Sequence, residues 1–83
     1  MTRLEFLDLL TKNGIDTSIV SFNDSTKDGY CIRKNHYRWE VLNRERGIEY
    51  EVMGYPSESD ALICLFNRLI IIYGKEQAQN INT

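Results

Sequence analysis

The 83-residue chain is long enough for one domain and too short for two. Hydrophobic residues make up 42% of it and aromatics 11%, normal for a globular protein and against an intrinsically disordered chain. Its formal net charge of −2 disfavours general nucleic-acid binding, which draws on a surplus of Lys and Arg to neutralise phosphates.

Thr2 to Asn13 reads as a short helix. Thr2 is a natural N-cap, and Glu5, three residues on, completes a capping box. Phe6, Leu7, Leu9 and Leu10 fall on one side, so the helix must lie against something larger. Asn13-Gly14 ends it, with Gly14 suited to the left-handed C-cap position. The opening residues carry acids inside the apolar run and no small-residue cleavage site, unlike a signal peptide. The longest apolar run, residues 69–73, falls far below the roughly 20 residues of a membrane span. These features predict a cytoplasmic protein.

A first strand is expected within Ile15 to Phe22, ending at a polar stretch, residues 23–29. Asp28-Gly29 there is the strongest hairpin signal in the chain. Tyr30 to Lys34 reads as a second strand, Asn35-His36 as a turn, and Tyr37 to Asn43 as a third strand. Alternation puts Tyr37, Trp39 and Val41 on one face of that strand and Arg38, Glu40 and Leu42 on the other. Arg44 to Gly47 forms the next turn, where Gly47 supplies a positive φ. In the fourth strand Ile48, Tyr50 and Val52 are expected on the core face, with Glu49, Glu51 and Met53 opposite. Folding the hairpin pairs Val41 with Tyr50 and Trp39 with Val52, and brings Glu40 near Glu51.

Gly54-Tyr55-Pro56 breaks the strand. Ser57 caps a final helix, with Glu58 and Asp60 favourable at its positive end. That helix is apolar on almost every side through Tyr73 and is expected to end at Gly74. Residues 75–83 then form a flexible polar tail. The predicted fold is α+β, in the order α-β-β-β-β-α. It consists of a four-stranded antiparallel meander with two helices packed on one face, filling residues 1–74.

Chemistry has few candidates. His36 is the sole histidine and lies in a polar turn. Cys31 and Cys64 sit in apolar segments as core thiols, without basic neighbours to activate them. Neither zinc-ligand spacing nor a phosphate-binding glycine loop is present, so neither an enzyme nor a cofactor is expected. Two features exceed the ordinary. One is a carboxylate set, Glu40, Glu49 and Glu51 on the outer sheet face, joined by Asp24 and Asp28 at the loop end; crowding of this kind suits a cationic partner. The other is the over-apolar last helix, where Ile63 and Ile71 make a patch for self-association or a partner unless the first helix covers them.

At Lys12 to Ile15, Cys31-Ile32, Trp39 to Val41, Glu45 to Gly47 and Ser57 to Ala61, the chain resembles a family of small bacterial immunity proteins. These are encoded beside polymorphic toxins of the contact-dependent-inhibition and LXG kinds. The similarity spans most of residues 4–70 and departs at Leu42-Asn43, where an aromatic is commoner. It implies stoichiometric neutralisation of one cognate toxin domain, often a nuclease, and carries over no catalytic residues. On that basis the acidic residues meet a basic toxin, and Tyr30, Tyr37 and Tyr55 serve as aromatic anchors. The chain is expected to be a monomer or weak homodimer. The alternative is a nucleic-acid-binding or regulatory β-sheet module, with Tyr and Trp as stacking platforms. The acidic outer face argues against it.

Overall fold

The computed structural model describes residues 1–24 and 26–82, with side chains described up to residue 74. The fold is α+β. Helix α1 (Arg3–Lys12) leads through a single 3₁₀ turn (Thr17–Ile19) to strands β1 (Val20–Phe22), β2 (Gly29–Asn35), β3 (Arg38–Glu45) and β4 (Ile48–Tyr55). Helix α2 (Glu58–Asn82) closes the chain. The four strands lie in sequence order in one sheet. No helix among the described residues is long and apolar enough to cross a membrane.

Local chemistry accounts for the helix ends. Thr2 and Glu5 form the expected reciprocal capping box. At the other end Gly14 takes φ 72°, and Ile15 N–H reaches back to the Leu10 carbonyl at 2.9 Å. Ser57 caps α2 by accepting from Asp60 N at 3.1 Å. The predicted stop at Gly74 is not observed, because α2 continues through it to Asn82. The expected tail, residues 75–83, lies outside the residues whose side chains are described.

The sheet is mixed, which corrects the expected antiparallel meander. β1 runs parallel to β2, with Val20 beside Tyr30 and Phe22 beside Ile32, so Asp28-Gly29 does not turn a hairpin. Asn23 reverses the chain instead. It adopts φ 54°, donates its N–H to the Ile32 carbonyl, and accepts from Lys34 N through its side chain. A parallel return usually takes a dozen or more residues. Here β1 has only three, so the chain must come back by only about 10 Å, within reach of the connection 23–28. Gly29 fits that return: at φ 108° a Cβ would stand 2.9 Å from the Ile19 carbonyl oxygen.

β2 and β3 pair antiparallel around His36-Tyr37, one residue later than predicted, with Asn35 opposite Arg38. β3 and β4 turn on Arg46-Gly47 alone. Both residues have positive φ, 53° and 78°, as a type I′ hairpin demands. The predicted register is therefore wrong. Asn43 faces Tyr50 and Arg44 faces Glu49, and a bulge at Glu51-Val52 then shifts the pairing so that Val41 meets Met53 and Trp39 meets Tyr55. Glu51, at φ 54°, is the bulged residue in left-handed conformation.

The core joins Phe6 and Leu10 of α1, Val20, Ile32 and Val41 of the sheet, and Ala61, Leu62, Leu65 and Leu69 of α2. Phe6 meets Phe22 edge-on at 6.3 Å. Behind the sheet, Cys31 and Leu42 pair across β2 and β3 and are also fully buried.

Candidate protein-binding site

The face opposite Ile32 and Val41 carries Cys31, Arg33, Glu40, Leu42 and Arg44 by strand alternation. It was expected to be an exposed acidic surface. Instead Glu40 is only 2% exposed, and both of its oxygens are bonded. Arg33 and Asn35 donate to Oε1 at 2.9 and 3.2 Å, and Arg38 donates twice to Oε2, at 2.8 and 3.2 Å. Burial by itself would raise the Glu40 pKa; the bonds from Arg33, Arg38 and Asn35 outweigh it and hold the carboxyl below its ordinary range.

The network continues through Arg33, which grips Glu49 with both terminal nitrogens, at 2.6 and 3.0 Å. Glu49 is also bonded by Arg44 at 3.1 Å, so Arg33 and then Arg44 depress its pKa. The five charged groups Arg38, Glu40, Arg33, Glu49 and Arg44 thus form one chain of ion pairs.

Arg44, 2% exposed, ties this network to the loop after β1. Its Nη1 donates to the carbonyl oxygens of Asp24 and Lys27, and the Cys31 thiol donates to the same Asp24 oxygen at 3.3 Å. The loop is therefore laid over the outer face. Its far end is fastened by Asp28, whose carboxylate accepts from the N–H groups of Arg46 and Gly47 at 3.0 and 3.3 Å. Asp24 accepts from Thr26 N and Oγ1, and these bonds lower its pKa. The positive-φ hairpin and the polar loop, far apart in sequence, are one clamped unit at one end of the sheet.

The candidate residues divide accordingly. Arg44 ties Glu49 to the backbone at Asp24 and Lys27, and Asp28 ties that loop to the hairpin, so the three acids share one end of the sheet. Glu45, in the same hairpin but on the opposite face by alternation, is exposed and has no bonded partner among the described residues. Glu40 is removed from any contact surface by its burial. Glu51 leaves the set because the bulge turns it to the helix side, 3.8 Å from Arg68. Tyr37 is 98% exposed in the turn rather than on the core face. Tyr30 and Tyr55 are half-buried, and Tyr55 Oη lies 2.6 Å from Cys64 Sγ; this hydrogen bond, followed by burial, raises the Tyr55 pKa. Ile63 and Ile71 are both exposed, so α1 does not cover them.

Sequence reading missed Arg44, which it left in a turn. The signal was Arg46-Gly47, whose glycine at the second position fits a two-residue hairpin and extends β3 to Glu45. No family model, curated protein or solved structure matches the chain.

Proposed function

We propose that this protein is a stoichiometric binding module. It docks a basic protein domain on the clamped loop–hairpin end and works without turnover. The supporting observation is that Asp24, Asp28 and Glu49 share the loop–hairpin end on a backbone fixed by Arg44 and Asp28, with the exposed Glu45 in the same hairpin lacking a bonded partner among the described residues. Such a surface binds with little ordering cost, and its carboxylates steer a cationic partner on approach. In this reading both helices lie on the Ile32–Val41 face, and the partner meets the outer face at the loop–hairpin end. The partner in this reading, which rests on the resemblance to immunity proteins, is a cognate toxin domain encoded by a neighbouring gene, a nuclease acting in the cytoplasm being the best match to an acidic inhibitor.

Titration calorimetry with the toxin domain encoded next to this gene tests the reading. Glu45→Lys should slow association and reduce its salt dependence while the circular dichroism spectrum is retained. Asp28→Asn, which keeps an acceptor for the turn, should weaken binding less. Undiminished association by Glu45→Lys at low salt would remove this end from the interface. No binding by the wild-type chain would end the toxin assignment.

A further inference from the structure

The net charge of −2 hides a basic stretch at the β2–β3 turn. Residues 33–39 hold Arg33, Lys34 and Arg38 and no carboxylate, with His36, Tyr37 and Trp39 interleaved among the cations. Tyr37 is 98% exposed at the tip, with the His36 ring 6.5 Å away, and Lys34 lies over the half-buried Trp39 at 6.0 Å. The outer face behind the tip is not acidic either. Its ion-pair row sets Arg33, Arg38 and Arg44 against Glu40 and Glu49, which leaves one positive charge. Arg38 is the most open of the three, its side chain 60% exposed. Its Nε and Nη2 are spent on Glu40, and its Nη1 has no bonded partner among the described residues. The side chain lies against the bare backbone of Gly54, where a Cβ would stand 2.8 Å from Arg38 Cδ and 2.9 Å from Nη1. The glycine lets the guanidinium lie down on the strand with a planar face towards solvent.

We propose that this tip binds a single strand of nucleic acid. One base stacks on Tyr37, a second on the Arg38 guanidinium, and Lys34 and Arg38 Nη1 meet the neighbouring phosphates. Positive charge calls for an anionic partner, and the shape of the site selects bases over an acidic protein segment. A carboxylate is gripped best by the two-nitrogen edge of a guanidinium, and Glu40 already occupies that edge. What remains is a flat cationic face beside a flat aromatic ring, which suits planar bases. In a duplex those bases stack on one another and are closed to the tip. The acidic outer face that spoke against nucleic acid is absent, because Glu40 is buried and Glu51 turns to the helix side. A contact of a few nucleotides draws on this local charge and needs no surplus over the whole chain.

Fluorescence anisotropy of labelled oligo(dT) and oligo(rU), each about twelve nucleotides long, titrated with the full chain up to about 1 mM, tests this. At least one of the two should bind saturably, and its affinity should fall with salt at a logarithmic slope of about −0.7 for each phosphate met. Tyr37→Ala, at a fully exposed position, should weaken binding at least about fivefold, the low end for one stacked base. Gly54→Ala, which sets a Cβ under the guanidinium, should weaken it as well. Circular dichroism confirms that both variants fold. Three results would overturn the proposal: no saturable binding of either oligonucleotide, full affinity in Tyr37→Ala, or equal affinity for the duplex of oligo(dT) with oligo(dA). A poly-glutamate peptide of the same length that binds as tightly would also overturn it, and would make the tip a docking point for an acidic protein. No toxin enters these titrations, and Tyr37 lies at the opposite end of β3 from Glu45, so nucleic-acid binding and toxin binding fail independently.

Discussion

The outer sheet face and the β4 margin treat polar and apolar groups in opposite ways. On the outer face a glutamate and an arginine are each 2% exposed, and every charge in the row is paired. Along β4 the side chains are mostly apolar, and nearly all are exposed. Composition alone predicts the reverse, since charged residues are seldom fully buried unless paired. What separates the regions is cover. The loop after β1 folds across one face and must be met by donors for its carbonyl oxygens, which Arg44 supplies. Over β4 the described contacts come from α2 and are sparse, with Cys64 at Tyr55 and Arg68 near Glu51. The first region is thus committed to holding the fold, and the second is left available.

The largest expected effect breaks the charged region. Glu40→Ala leaves Arg38 without its carboxylate and Arg33 with Glu49 alone. Removing one partner of a buried pair costs more than the pair contributes, because the other charge stays desolvated. Its partner Arg38 is 60% exposed and can regain water, so we expect about 3 kcal/mol, the low end for such changes. A urea titration reads it from the midpoint. A shift no larger than that of an exposed glutamate would show that solvent reaches the site.

Acid should weaken the same network. Glu40 and Glu49 both have lowered pKa values in the folded state. Their contribution is therefore fully present above the ordinary glutamate value of about 4.3 and is lost as pH falls through the lower folded values. The melting temperature should hold between neutral pH and about 5, then drop below about 4. In Glu40→Gln the drop should be shallower. Equal slopes in the two proteins would mean that other carboxylates carry the acid sensitivity.

How much of this was legible in the sequence follows the same division. Elements set by local chemistry could be read directly: the Thr2–Glu5 box, the Gly14 cap, Ser57, and the alternation that set Val41 against Glu40. The candidate residues Asp24, Asp28 and Glu49 were named, but not what links them, since Arg44 bonds the Asp24 and Lys27 carbonyls and the Glu49 carboxylate while Asp28 fastens the loop to the hairpin backbone. Two long-range choices escaped. The parallel β1 depends on Asn23 closing a ladder with Ile32 and Lys34, and Asp-Gly hairpin chemistry pointed elsewhere. The bulge depends on Glu51 adopting positive φ, which no residue type at that position announces. One extra residue there changed the faces of half a strand.

The clamped hairpin offers an intermediate test. Gly47 has φ 78° and nothing within 4 Å of a built Cβ, so a side chain there meets backbone strain and no collision. Gly47→Val should cost about 1–2 kcal/mol, the penalty for a left-handed branched residue. Gly29→Ala should cost more despite the smaller side chain, because its Cβ stands against the Ile19 carbonyl as well. Thermal melts of the two variants rank them. The reverse order would mean that β1 yields easily and that the return loop is not rigid.

The smallest effect is expected at the apolar margin, and its smallness is informative. Ile48 is the first residue of β4, paired with Glu45 next to the turn, and more than half of it is exposed. A threonine there keeps the β-branched shape that suits a strand and withdraws only a partly hydrated apolar group. Stability of the monomer should change by no more than about 0.5 kcal/mol, as for other surface positions. The comparison between regions then becomes quantitative. At low protein concentration Ile48→Thr should melt with the wild type, and Glu40→Ala should not. If Ile48→Thr instead destabilises the dilute protein by more than about 1 kcal/mol, β4 is held by cover from within the chain, and the contrast between the two regions disappears.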